Sequence, residues 1–237
     1  MNILVTGGIS SRIGKNIVGR LLEEGHTVIA TYRNDISNDK LPQSERLHTF
    51  KLDISEEADV KDCFNHFFNE KALPIDTLIN NAGTNVGGML TQLKTKDWKE
   101  MIDTNLTGTF LMCKYFSKYA ARRKKGQIIN IGSSAANGNL PYQGGYNASK
   151  AGLISLSKTL AVELAPYNLR VNIVNPGFIP SQLNQFSEAK EIEETEKSLL
   201  GIKHNLSNLV DFISFICADS LSGVTGQEFN IDSRLNK

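Results

Sequence analysis

The sequence is poor in the residues that build metal centres and covalent scaffolds. Among 237 residues there are three cysteines, four histidines and one tryptophan. Cys63, Cys113 and Cys217 lie far apart in segments that read as helical, with no C-x-x-C pair and no histidine at metal-ligand spacing. That argues against a zinc site or a disulfide framework and for reduced thiols in a buried core. His26, His48, His66 and His204 are scattered and read as structural or solvated, and Trp98 as a packing residue. Neither sign of charge is in excess: 26 Lys and Arg against 25 Asp and Glu leave a net charge of +1. Dispersed, balanced charge points away from nucleic acid and anionic membrane and toward a small ligand. No apolar run approaches bilayer-spanning length, and the first residues enter a strand-like run without the basic and apolar segments of a secretory leader, so a cytoplasmic protein is expected. Repeats and low-complexity segments are also missing. With 40% hydrophobic residues, the chain can bury the core of one α/β domain over 1–237.

What the sequence does have is alternation. Residues 2–6 read as a strand. In SSRIGKNIVGRLLEEG, Ile13, Ile17, Val18, Leu21 and Leu22 recur at helical spacing, and Gly25 stands where a helix end needs a residue tolerant of positive φ. HTVIATY, LHTFKLD, DTLINNAG, GQIINIGS, LRVNIVNPG and QEFNI read as further short strands. Helical patterns separate them at about 56–71, 95–124 (one helix or two), 144–165 and 206–219. This order predicts a doubly wound parallel sheet of about seven strands with helices on both faces, the single-domain Rossmann architecture. Residues 178–205, polar and charge-rich after a strand end, read as a substrate lid or as a solvated helix pair.

The stretch TGGISSRIGK follows the first strand, where an open parallel sheet places its phosphate contacts. Gly7, Gly8 and Gly14 allow close approach of backbone to a ligand, and the helix that follows turns its positive end toward an anion. A glycine-rich turn alone is a weak signal, but a strand precedes this one and an amphipathic helix follows. At the end of the second strand stand Thr31, Tyr32 and Arg33. A carboxylate here would suit the ribose hydroxyl of NAD, whereas arginine suits the 2′-phosphate of NADP. Arg33, with Arg12, favours NADPH. Asp35, two residues on, keeps NAD open, and a solvated loop charge is the plainer reading of Arg33.

The strongest signal is IGSSAANGNLPYQGGYNASKAG. Tyr146 and Lys150 are four residues apart at the start of a helical segment and share a face. A neighbouring ammonium stabilises a phenolate, so this spacing is expected to lower the Tyr146 pKa and supply a tuned proton donor. Ser133, at a strand end, is placed to hydrogen-bond a substrate carbonyl oxygen.

With these motifs the chain resembles the short-chain dehydrogenase/reductase family over essentially its whole length. The family's Y-x-x-x-K is Tyr146 to Lys150, its serine is Ser133, its N-N-A-G is Asn80-Asn81-Ala82-Gly83, and its helix asparagine is Asn105. The resemblance implies that NADPH delivers hydride to a ketone while Tyr146 protonates the oxygen and Ser133 holds it. It implies that Lys150 binds the nicotinamide ribose and lowers the Tyr146 pKa, and that Asn105 holds a water linking Lys150 to solvent. Cofactor contacts are implied for Thr6, Gly7, Gly8, Ser11, Arg12, Ile13 and Gly14 in the loop. They are implied too for Arg33, for Asp53 and Ile54 after the third strand, and for Asn81, Ala82 and Gly83. On the far side they fall on Tyr146, Lys150, Pro176, Gly177, Ile179 and Ser181. No metal is implied.

Two departures stand out. The phosphate loop is one residue longer than the family's T-G-x-x-x-G-x-G, with Arg12 in place of the middle glycine, as in pteridine reductases. The family's C-terminal D-G-G is Asp232-Ser233-Arg234. The pattern most resembles 3-oxoacyl-(acyl-carrier-protein) reductases, with sugar, polyol, pterin or secondary-metabolite dehydrogenases as alternatives and a non-catalytic NADP(H)-binding regulator as the reading from another class. A carrier-protein substrate would need a basic surface, for which Arg122-Arg123-Lys124-Lys125 is a candidate beside its plainer reading as helix capping. Leu106, Phe110, Phe116 and Tyr119 on one helix, with Leu153, Leu156, Leu160 and Leu164 on another, suggest a homodimer or homotetramer interface.

Overall fold

The computed structural model describes residues 1–34, 44–137, 140–180, 192–193, 196, 198–200, 206–218 and 221–232. Seven strands form one parallel sheet: β1 (Asn2–Val5), β2 (Thr27–Tyr32), β3 (Leu47–Lys51), β4 (Thr77–Asn80), β5 (Gly126–Ile131), β6 (Leu169–Pro176) and β7 (Glu228–Ile231). Their order is β3-β2-β1-β4-β5-β6-β7, so the chain reverses its direction of travel across the sheet between β1 and β4. Such a reversal opens a crevice at the carboxyl ends of the strands. Every strand named in the sequence reading is present.

The inner strands β1, β2, β4, β5 and β6 sit in a two-sided core, which explains why they read as apolar runs. In β1, Leu4 joins Phe64, Phe116 and Ile128 on one face of the sheet. Its neighbours Ile3 and Val5 join Ile17, Leu21, Ile129 and Ile213 on the other, as the two-residue period of a strand requires. The first face is covered by α2 (Glu57–Asn65) and α4 (Thr109–Arg123), and the second by α1 (Arg12–Glu23) and α6 (Leu206–Cys217). Helix α3 is Thr95–Ile102, and α5 (Gly144–Leu164) borders the cleft with Tyr146 and Lys150. Gly25, just past α1, has φ +83°, a conformation that a side chain would strain.

Segment 95–123 is a single helical rod, because α3 passes into α4 through a wide turn over Asp103–Gly108. Gly108 lets this turn lie against the chain after β3, since a Cβ there would come within 2.8 Å of Ile54 Cγ1. Wide turns of this kind gather at functional sites, and this one carries Asn105.

The two apolar helix faces divide differently from the expectation. Phe116 and Leu153 are core residues, 0% and 1% exposed, while Phe110 and Val162 stand out at 42% and 76%. Of the basic run, Arg123 donates to Ile75 O at 3.0 Å and pairs with Asp76 at 2.6 Å, and Lys124 ends α4 in the left-handed region at φ 49°. Arg123 thus ties the end of α4 to the chain before β4, and Lys124 is the C-cap. All three cysteines are buried and unbridged, and burial pushes each thiol up to about 12. No helix among the described residues is long and apolar enough to cross a membrane.

Candidate active site

The glycine turn after β1 is fastened to the end of β4. Thr6 Oγ1 accepts from the backbone of Asn81 at 2.9 Å and of Ala82 at 3.0 Å. Asn81 Nδ2 returns bonds to Thr6 O at 2.8 Å and Ser11 Oγ at 3.0 Å. Gly7 takes the left-handed conformation, φ +62°. Ser11 caps α1 by accepting from Gly14 N at 2.9 Å. A Cβ on Gly14 would press into Gly7 O and lie 2.8 Å from Ser11 Oγ, so only glycine lets the helix seat this closely on the loop. Helix α1 thus opens with no acidic residue in its first turn and with backbone N–H groups facing the loop, an anion-binding arrangement.

A cleft of about 1040 Å³ begins here. Gly7, Ser11, Arg12, Ile13, Arg33, Asp53, Ile54, Asn81, Ala82, Gly83, Pro176, Tyr146 and Lys150 line it. These sequence-predicted residues therefore share one cavity. Others do not line it. Thr6 lies beneath the loop as its anchor. Gly8 faces the core, where a Cβ would meet Ala30 and Val18 at 3.0 Å. Ile179 is a core residue at 5% exposure, and Gly177 is covered by Asp232, 2.6 Å from where its Cβ would stand. Ser181, Asp35, Ser233, Arg234 and all of 178–205 beyond its first three residues and a few isolated ones lie outside the described residues.

The two arginines differ in their bonding. Arg33 faces Glu100 at 3.8 Å with both side chains largely exposed, a loose surface pair. Arg12 instead bonds Pro180 O through Nη1 at 3.0 Å, joining the phosphate turn to the segment after β6. Asp53 Oδ1 is taken by its own turn, accepting from Ser55 N at 3.0 Å and Ser55 Oγ at 2.6 Å.

At the other end, Tyr146 and Lys150 project from one face of α5. Lys150 is 5% exposed and donates from Nζ to Ile131 O at 2.8 Å. Its Nζ lies 5.8 Å from the centre of the Tyr146 ring. Burial opposite a neutral carbonyl pushes the Lys150 pKa down to about 8. Tyr146 shares a hydrogen bond with the Ser133 side chain; burial holds its phenol above the ordinary value, and the Ser133 bond works against that rise. The sequence-based expectation of a Tyr146 pKa lowered by Lys150 is therefore not met, because the ammonium is turned to the end of β5. Tyr146 rests protonated at neutral pH.

Asn105 is fully buried. Its Oδ1 accepts from Thr84 N at 2.8 Å, and its Nδ2 donates to Thr84 O at 2.9 Å and Ser149 Oγ at 3.0 Å. The amide thus pins the loop after β4 to α5. A buried ladder of Asn80, Asn130 and Ser157, with bonds of 2.8 Å each, ties β4, β5 and α5 together behind the site. Sequence reasoning missed these roles for Asn130 and Ser157, along with Thr31, whose Oγ1 accepts from Gly7 N at 3.3 Å. Asparagines within apolar strands were the available signal, since a buried amide is tolerated only when bonded. No cluster of three His, Cys, Asp or Glu suited to a metal occurs among the described residues.

An anion-binding turn at one end of a cleft and a proton-transfer group at the other define an oxidoreductase that works with a dinucleotide. The family model for short chain dehydrogenases matches residues 1–192, and the chain belongs to that family. It is 34% identical to the 3-oxoacyl-(acyl-carrier-protein) reductase of Thermotoga maritima, with 98% of this chain and 96% of the relative covered. Its fold is similar to that of ElxO with NADP bound, at a TM-score of 0.86 and 29% identity over 98% of this chain and 97% of the other. A short chain dehydrogenase from Leptospira borgpetersenii with bound NAD+ gives a TM-score of 0.87 at 29% identity, covering 100% and 92%. The protein is an NAD(P)(H)-dependent oxidoreductase acting on CH–OH and C=O groups.

Proposed function

We propose that the protein is an NADPH-dependent ketoreductase of the 3-oxoacyl-(acyl-carrier-protein) reductase type, with Tyr146 as the proton donor. The observation that carries this reading is Tyr146 beside buried Lys150, whose Nζ lies 5.8 Å from the centre of the phenol ring, in a cleft that reaches Arg33.

The residues fit a nicotinamide dinucleotide. Gly14 lets α1 seat directly on the loop, so that Ser11, Arg12 and Ile13 line the cleft at a helix start free of acid. Gly7, Arg12 and Ile13 would hold the pyrophosphate, Arg33 a 2′-phosphate, Asp53 and Ile54 the adenine, and Ala82, Gly83 and Lys150 the nicotinamide ribose. Bound NADPH supplies the hydride. The protein's own residues handle the proton and the geometry. Ser133 Oγ donates to the substrate oxygen and holds it beside the Tyr146 hydroxyl. Tyr146, protonated at rest, gives its proton to that oxygen as negative charge develops there. Lys150, a cation below about pH 8, offsets the phenolate left behind and is the nearest group able to return a proton. Asn105 keeps the Thr84 backbone and α5 at fixed separation, which holds Lys150 under Gly83.

This reading includes a homodimer or homotetramer paired through α4 and α5, where Phe110 and Val162 are exposed, and a cytoplasmic setting. The test compares NADPH with NADH oxidation across β-ketoacyl thioesters, simple ketones, pterins and sugars. Fastest turnover of a β-ketoacyl thioester with NADPH is expected. Turnover confined to sugars or pterins would reassign the substrate, and a preference for NADH would reassign the cofactor.

A further inference from the structure

We infer that Asn175 is a positioning residue that sets Ser133 in its working place through a relay running from β7; the inference rests on the role given to Ser133 above. The parallel ladder between β5 and β6 ends at Gly132, whose N–H donates to Val174 O at 2.8 Å. The next rung would require an N–H from Pro176, which has none. Ser133 lies one residue past that end, and among the described residues no strand carbonyl accepts from its N–H, at the point where its hydroxyl must be aimed.

The Asn175 side chain supplies the missing partner. Its Oδ1 accepts from Ser133 N at 3.1 Å, and its Nδ2 donates to Glu228 Oε1 at 2.8 Å and Asn230 Oδ1 at 3.0 Å. Glu228 Oε2 in turn accepts from Lys158 of α5 at 3.0 Å. The direction of the amide is fixed by chemistry. A carboxylate only accepts, so Nδ2 must face Glu228 and Oδ1 must face Ser133. Asn175 is 0% exposed, and both ends of its amide are bonded, so its burial carries no unsatisfied group. Gly132 completes the arrangement, because any Cβ there would overlap Asn175 Oδ1. The same short segment is held from its other side by Lys150 on Ile131 O at 2.8 Å. Ser133 Oγ also accepts from Ala135 N at 3.1 Å. Shifts of about 1 Å in a positioned group can lower a rate on the order of 100-fold, so loss of this bond reaches the chemistry without touching the cofactor loop.

The test uses reversed polarity. Asn175→Asp sets a second carboxylate against Glu228, whereas Asn175→Asp combined with Glu228→Gln restores one donor facing one acceptor and still offers an oxygen to Ser133 N–H. Asn175→Asp and Asn175→Ala should lower kcat about 10-fold or more, with KM for the carbonyl substrate and Kd for NADPH within about twofold. The double variant should recover kcat to within about threefold of Glu228→Gln. Amide exchange at Ser133 should quicken about 10-fold in Asn175→Ala and return in the double variant, which reads the bond independently of turnover. Full kcat in Asn175→Asp, or unchanged Ser133 exchange in Asn175→Ala, while Ser133→Ala is inactive, overturns the positioning role alone. A Ser133→Ala protein with full activity overturns the proposed function and this inference together.

Discussion

Replacing Lys150 with methionine should stabilise the cofactor-free protein while abolishing its turnover. The Lys150 side chain is 5% exposed and among the described residues donates to one carbonyl, at 2.8 Å, and burial lowers its pKa from 10.5 to about 8. That displacement corresponds to roughly 3 kcal/mol of folding free energy lost at neutral pH. The bond to Ile131 O, which methionine forfeits, contributes roughly 1.5 kcal/mol in the opposite sense. The net expectation is a gain of about 1–2 kcal/mol for Lys150→Met at pH 7, since methionine fills the same unbranched volume. The sign with pH follows from a lysine whose folded pKa is depressed. Its penalty is complete below about pH 8 and fades as pH rises toward the unfolded value near 10.4. The advantage of the variant should therefore be constant from pH 6 to about 8 and vanish or reverse near pH 10. Urea denaturation of both proteins without cofactor, at pH 7 and pH 10, measures this. A variant destabilised at pH 7, or a difference that does not change with pH, would refute the reasoning that Lys150 is held at a cost in stability for the sake of the site.

Gly14→Ala forces the loop off α1, because its Cβ meets Gly7 O and Ser11 Oγ. It should lose about 1–3 kcal/mol of stability and weaken NADPH and NADH alike, as thermal melts and cofactor titrations would reveal. Arg33→Ala should raise the Kd for NADPH about 10-fold or more and leave NADH nearly unchanged, given the about 1.5–3 kcal/mol of a charge-assisted bond. Arg12→Gly should weaken NADPH more than NADH, with some loss for both because Arg12 also bonds Pro180 O. An equal loss for the two cofactors would restrict Arg12 to that strap.

The sheet was legible because its five inner strands are buried on both faces, because strand ends carry glycine, asparagine and aspartate, and because the helices between them carry apolar stripes. The cleft was legible where function depends on local spacing, as in Tyr146 and Lys150 or Gly7 and Gly14. It was not legible where a side chain's partner is remote in the chain. Arg12 reads as a phosphate ligand in its own neighbourhood, yet its bond goes to a carbonyl 168 residues away. Nothing in the sequence around Asn105 shows that its amide is bonded to the backbone of Thr84, 21 residues earlier. The expected depression of the Tyr146 pKa failed for a similar reason. Four-residue spacing brings the two groups onto one face, but the carbonyl ending β5 takes the ammonium. Gly8 and Ile179 stand in motif positions whose glycine and apolar character the core alone accounts for.

The central claim is that Tyr146 hands the proton to a carbonyl oxygen held by Ser133. Single-turnover oxidation of bound NADPH by a β-ketoacyl thioester tests it directly in the wild-type protein and in Tyr146→Phe. The account predicts that Tyr146→Phe binds NADPH with unchanged affinity and is slowed on the order of 100- to 10,000-fold. Turnover by Tyr146→Phe at the wild-type rate would contradict it.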